Sequence, residues 1–121
     1  MPQITVDHSD RVHLDRRAFA AELHPLVVET IGGDLSACKT RFRRVEESYV
    51  GDGDPARDVL LLEIRIFLDG RTVERRGALS EALLALLERH AVPAEGVELH
   101  LAVDVVELDR RTYRKSVSAA G

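Results

Sequence analysis

Residues 58–68 read DVLLLEIRIFL, and every second position from Leu60 onward, namely Leu62, Ile64, Ile66 and Leu68, is again aliphatic. Period-two alternation belongs to a strand, whose successive side chains point to opposite faces. The intervening positions Val59, Leu61, Glu63, Arg65 and Phe67 are mixed. One face of this strand therefore belongs in a core, and the other is too apolar to be left wholly to water. Asp69, Gly70, Arg71 and Thr72 form a tight connection, with Thr72 placed to cap a helix. Leu79, Ala82, Leu83, Leu86, Leu87 and His90 then recur at helical spacing. Pro93 and Gly96 close the next connection, and Val97, Leu99, Leu101, Val103 and Val105 alternate with Glu98, His100, Ala102 and Asp104. The order is strand, helix, strand.

The same order precedes it. Ile4 and Val6 alternate with Gln3, Thr5 and Asp7, which predicts a first strand over residues 2–8. From Leu14 to Ile31 the residues Phe19, Leu23, Leu26, Val27 and Ile31 keep helical spacing, and Gly32 and Gly33 favour a stop. Pro25 lies inside this stretch and is expected to bend or divide the helix, because proline lacks the donor and crowds the preceding turn. From Cys38 to about Glu47 alternation returns, with Lys39, Arg41 and Arg43 on one face and Cys38, Thr40 and Phe42 on the other. Gly51, Asp52, Gly53, Asp54 and Pro55 make the strongest turn signal in the chain. The chain thus reads as two β-α-β units, residues 2–50 and 56–110, within one α+β domain spanning 1–121, with a flexible tail at 111–121. Right-handed connections between parallel strands give a two-layer fold: a four-stranded mixed sheet with both helices on one face.

Composition narrows the function classes. The 121 residues are 45% hydrophobic and 31% charged, an ordinary globular balance, while aromatic content is 4% with no Trp, which disfavours base-stacking surfaces. Cys38 is the only cysteine, so no internal disulfide forms and zinc-type ligand clusters are missing; the histidines His8, His13, His24, His90 and His100 lack metal-ligand spacing. The amino-terminal residues lack a signal-peptide pattern, and no apolar run reaches the roughly 20 residues that span a bilayer. The expectation is a soluble cytoplasmic protein with no metal, no membrane and no nucleic-acid partner. Net charge is −4, yet Lys39, Arg41, Arg43 and Arg44 crowd one stretch, Arg71, Arg75 and Arg76 a second, and Arg110, Arg111, Arg114 and Lys115 a third. Local cationic clusters on an acidic protein suit a small anion better than a long polyanion.

Several of these features occur together in one known family. A Met1-Pro2 start before a short strand, Pro25 within the first helix, Lys39-Thr40-Arg41 opening the second strand, Asp52-Gly53 before a long apolar strand, Gly70-Arg71-Thr72 before the second helix, and a last strand running into Glu107, Tyr113, Arg114 and Lys115 stand in an order that resembles the 5-carboxymethyl-2-hydroxymuconate isomerase family of the tautomerase superfamily. The likeness runs from Pro2 to about Lys115. It implies a tautomerase-like homotrimer without a cofactor, with a site at each amino-terminal proline. It departs at Lys39, where many relatives carry Arg, and at Arg44 and Ser48, where aromatic residues are expected; these changes bear on the substrate more than on the reaction type.

The resemblance implies isomerase chemistry: proton transfer on an unsaturated 2-hydroxy or 2-oxo polycarboxylate. Once Met1 is removed Pro2 is a secondary amine, and an α-amino group titrates near 7.7 to 8.0. Burial and nearby guanidinium groups both disfavour the ammonium form and bring it toward neutrality, where a general base works best. Arg71 corresponds to a substrate-binding arginine, able to hold a carboxylate through paired hydrogen bonds and to stabilise a dienolate. Lys39 and Arg41 share a strand face and are expected to bind the substrate's other carboxylates. The rival reading is a noncatalytic trimeric binding or scaffold protein of the same fold. A third, weaker one takes the basic carboxyl end as a nucleic-acid tail.

Overall fold

The sheet is organised around its two central strands, β1 (Gln3–His8) and β4 (Arg57–Ile66), which run antiparallel with Val6 opposite Leu62. On the outer side of β1 lies β3 (Lys39–Arg44), parallel to it; on the outer side of β4 lies β6 (Glu98–Glu107), parallel to it. The order β3-β1-β4-β6 makes the sheet mixed, with one parallel pair contributed by each unit. The structure, a computed structural model, describes residues 2–120, so the expected removal of Met1 lies outside the described residues.

Ile4, Val6, Leu60, Leu62, Ile64 and Ile66 are all at most 1% exposed and point to the same side of the sheet. Two helices cover that side. Helix α1 (Arg16–Ile31) supplies Phe19, Leu23, Val27 and Ile31, and α2 (Val73–His90) supplies Leu79, Leu83, Leu86 and Leu87, the i, i+3 and i+4 stripes of amphipathic helices. Each such aliphatic side chain contributes about 1.5 to 3 kcal/mol on full burial, so this shared core holds the two units together. Asp15 caps α1 by accepting from Ala18 N–H, and Thr72 caps α2 by accepting from Arg75 N–H, as the sequence predicts for Thr72.

Three details differ from the expectation. Helix α1 runs without a break through Pro25, which is exposed on the side away from the core; the donor it lacks faces no buried partner. Strand β3 ends at Arg44 rather than near Glu47, because after Val45 N–H reaches His8 O at 2.7 Å the partner strand β1 has no further residues. A two-stranded ribbon, β2 (Val12–His13) against β5 (Val92–Pro93), ties the entry of α1 to the exit of α2 and leaves no periodic trace in two residues per strand.

The face of the sheet opposite the helices carries no helix among the described residues. Its side chains form rows across the strands: Lys39, Gln3, Arg65 and Val106, then Arg41, Thr5, Glu63 and Asp104, then Arg43, Asp7, Leu61 and Ala102.

Candidate functional site at the start of β1

Pro2 is buried and its carbonyl accepts from the Lys39 backbone N–H at 3.3 Å. This parallel pairing is what carries the cationic start of β3 to the amino terminus. Gln3 stands opposite Lys39 on one side and Arg65 on the other, so Pro2, Lys39 and the carboxyl end of β4 share one end of the sheet. Arg41 lies further along β3, opposite Thr5, and belongs to the next row.

Arg71 reaches the same end through the turn that follows β4. Gly70 takes a φ of 71°, a left-handed conformation that glycine enters without strain, and the turn closes with Arg71 N–H donating to Leu68 O at 3.0 Å. The guanidinium Nη1 donates to Phe67 O, while Nε is buried and has no hydrogen-bond partner among the described residues. A buried N–H donor without an acceptor is costly, and an anionic group placed beside it would remove the cost. Lys39 is exposed.

The segment after β6 folds back over this end. Leu108 N–H donates to Ile66 O at 2.8 Å, Arg110 pairs with Asp69 at 3.0 Å, and its guanidinium lies 4.6 Å from the centre of the Phe67 ring. Tyr113 meets Phe67 edge-on at 5.5 Å, and its hydroxyl accepts from Gln3 Nε2 at 3.3 Å. Sequence reasoning noted Tyr113 only as part of a resemblance and missed its contact with Gln3, since residues 110 positions apart share no local pattern. A cavity of about 410 Å³ lies beyond this fold-back, lined by Asp69, Glu107, Leu108, Asp109, Arg110 and Arg111.

No family model and no curated protein sequence matches the chain. Solved structures do. A 5-carboxymethyl-2-hydroxymuconate isomerase from Deinococcus radiodurans superposes with a TM-score of 0.80 over 97% of this chain and 90% of its own, at 17% identity. A macrophage migration inhibitory factor-like protein from Entamoeba histolytica gives 0.65 over 97% and 96%, at 18% identity. A fused 4-OT symmetric trimer gives 0.69 over 90% and 87%, also at 18%. The chain shares the fold of these three solved structures, a four-stranded mixed sheet with two helices on one face.

Several other polar groups of this fold are held in structural contacts. Cys38, next to Lys39, is buried, and burial pushes its thiol above the ordinary value, with the Asp34 charge acting the same way. It is therefore held as the neutral thiol rather than as a nucleophilic thiolate. At the opposite end of the sheet Asp58, 1% exposed, accepts from Ser9 Oγ and Val59 N–H and pairs with Arg11 at 3.4 Å. His24 Nε2 and Thr40 Oγ1 are 2.7 Å apart, and His90 and His100 pair with Glu22 and Glu98. No group of three or more His, Cys, Asp or Glu side chains is arranged to hold a metal among the described residues, and no helix among them is long and apolar enough to cross a membrane.

Proposed function

We propose that this chain is an isomerase of the tautomerase type, acting on an unsaturated 2-hydroxy or 2-oxo polycarboxylate such as 5-carboxymethyl-2-hydroxymuconate, with Pro2 as its general base once Met1 is removed. The observation that carries this reading is the buried Pro2 at the start of β1, backbone-bonded to Lys39, with Arg71 near the same end and keeping a buried Nε without a partner among the described residues.

The secondary amine takes the proton of the 2-hydroxyl group of the 2-hydroxydiene and delivers it to a chain carbon, giving the 2-oxo isomer. Between these steps the substrate is a dienolate. Arg71 stabilises the charge that develops on its oxygen, an interaction stronger in the transition state than in the ground state. Lys39 holds a distal carboxylate, which is charged throughout and so contributes to binding rather than to the rate. The likeness to a symmetric trimer supports a homo-oligomer as the working form, and the half-buried Val59, Leu61 and Val106 of the sheet face opposite the helices are consistent with one.

One observation favours the rival, noncatalytic reading: Arg71 Nη1 is already bonded to Phe67 O, which gives this arginine a structural task. Turnover separates the two. Purified chain with Met1 removed should convert a 2-hydroxymuconate analogue to its 2-oxo isomer, followed by the change in ultraviolet absorbance, and Pro2→Ala should slow this strongly. Absence of conversion across several such analogues by mass-verified, processed protein supports the scaffold reading instead.

A further inference from the structure

Among the described residues, three buried side-chain nitrogens have no hydrogen-bond partner: His8 Nε2, Arg71 Nε and Arg76 Nε. His8 lies at the far end of β1 from Pro2. The two arginines stand on either side of Thr72, the cap of α2. The proposed chemistry uses Arg71 and leaves Arg76 without a task.

Arg76 precedes Leu83 and Leu87 by about two and three helical turns, and both leucines are fully buried in the core between helix and sheet. Its stem therefore starts on the face of α2 that looks at the sheet, where the helix makes its first backbone bond, Arg76 N–H to Thr72 O at 3.0 Å. This turn follows the end of β4, and β4 ends where β1 begins, since Arg65 is paired with Gln3. Pro2 is buried, and alternation along Pro2, Gln3 and Ile4 sets it on the helix side of the sheet with Ile4. Arg76 and Pro2 thus share one end and one side of the sheet. No carboxylate of the described chain takes up these donors: Asp69 pairs with Arg110, and neither Glu74 nor Glu107 bonds Arg71 or Arg76. In Arg71 the Nη1 corner is engaged by Phe67 O, which leaves the Nε and Nη2 edge, the one that receives an anion through two parallel bonds.

We propose that Arg76 is a second anion-binding arginine of the Pro2 site, holding the C1 carboxylate of a 2-hydroxy or 2-oxo acid while Arg71 holds the neighbouring 2-oxygen. Such an acid carries its carboxylate and its 2-oxygen on adjoining carbons, which suits two cations rooted in one turn. The carboxylate is charged in ground and transition states alike, so Arg76 acts on binding, whereas charge develops on the 2-oxygen and Arg71 acts on the rate. The assignment rests on the isomerase reading for its choice of anion, and an unreactive mimic separates the two.

Oxalate is that mimic, with two adjoining carboxyl groups and no hydrogen on carbon. In calorimetric titration of the processed chain with oxalate, Arg76→Gln should weaken binding at least about tenfold, and Arg76→Lys by a smaller factor, since lysine keeps the charge and loses the fork. Arg75→Gln removes the same charge from the exposed neighbouring position and should leave the affinity within about twofold. Oxalate should raise the melting temperature of the parent and not that of Arg76→Gln, while the two melt alike without it. In turnover of a 2-hydroxymuconate, Arg76→Gln should raise KM at least about tenfold with kcat within about threefold of the parent. A chain that binds oxalate through Arg76 and isomerises nothing would remove the isomerase reading and leave this assignment standing. A parent that does not bind oxalate, an Arg76→Gln variant that binds it equally well, or an equal loss from Arg75→Gln would overturn the assignment, whatever the turnover.

Discussion

Strand β3 has six residues, four of them Lys or Arg, while its counterpart β6 has ten and alternates Leu99, Leu101, Val103 and Val105 with a mixed set that carries no Lys or Arg. Their helices differ in the same sense. Helix α2 has an acid, Glu74, in its first turn and Arg89 and His90 in its last, complementing the helix dipole, whereas α1 has neither and carries Pro25 in its interior. The second unit is built mostly from locally favourable choices, Gly77 inside α2 being an exception. The first unit contains the departures: a cationic edge strand, a proline inside a helix, and a buried Pro2. Local rules tend to be broken where function requires it. The proposed function would put the chemistry at the end of the first unit, where these departures lie, with Arg71 and the Tyr113 fold-back reaching over from the second.

The contrast breaks down in the core, and the largest expected effect lies there. Leu23 of α1 and Leu83 of α2 are both fully buried, so Leu23→Ala and Leu83→Ala should each cost about 2 to 5 kcal/mol in chemical denaturation. A Leu23→Ala cost near zero would mean that the first helix is not part of a common core. Next in size is Arg71→Ala, which should lower kcat by about 10²- to 10³-fold if it stabilises the dienolate. Lys39→Ala should instead raise KM with kcat little changed, and the opposite split would exchange the two roles. Removing the caps sharpens the comparison of the helices: Thr72→Ala and Asp15→Ala should each cost about 1 kcal/mol in thermal unfolding, as each loses one side chain to backbone bond.

The smallest effect is a pH dependence in the first unit. Burial lowers the His24 value below 6.5, so the folded chain favours the neutral ring. The unfolded chain then binds more protons as pH falls through 6.5, and stability declines from there until the folded-state value is reached. Replacing His24 with Gln should flatten this decline in melting temperatures measured between pH 7.5 and 5 (His24→Gln). An unchanged slope would place the titration elsewhere.

Much of the fold was legible because its signals are local. Alternation at Leu60–Leu68, helical spacing from Leu79 to Leu87 and the Thr72 cap each depend on neighbours within a few residues, and all three elements appear in the structure. The β2–β5 ribbon was not legible, since two residues set no period. The early end of β3 was hidden for another reason: Val45 and Glu47 continue the alternation, but the length of β1 decides where pairing stops. For the site, the sequence names Pro2, Lys39, Arg41 and Arg71, and the sheet register separates Arg41 from the row beside Pro2. Which charges are left without partners is a property of the folded chain, because Arg43 and Arg44 look the same as Arg41 until Asp7 and Asp10 are brought beside them.

The central claim is that Pro2 acts as a base through a free secondary amine, and blocking that nitrogen tests it most directly. Two preparations of the same sequence, one verified by intact mass to begin at Pro2 and one retaining Met1, should be compared for conversion of a 2-hydroxymuconate substrate at equal subunit concentration and equal oligomeric state. Retaining Met1 turns the nitrogen into an amide with no basicity near neutral pH. The account predicts that activity is confined to the processed chain, with the acidic limb of its rate profile below the roughly 7.7 to 8.0 of an unperturbed α-amine. Equal rates from the two preparations would contradict it.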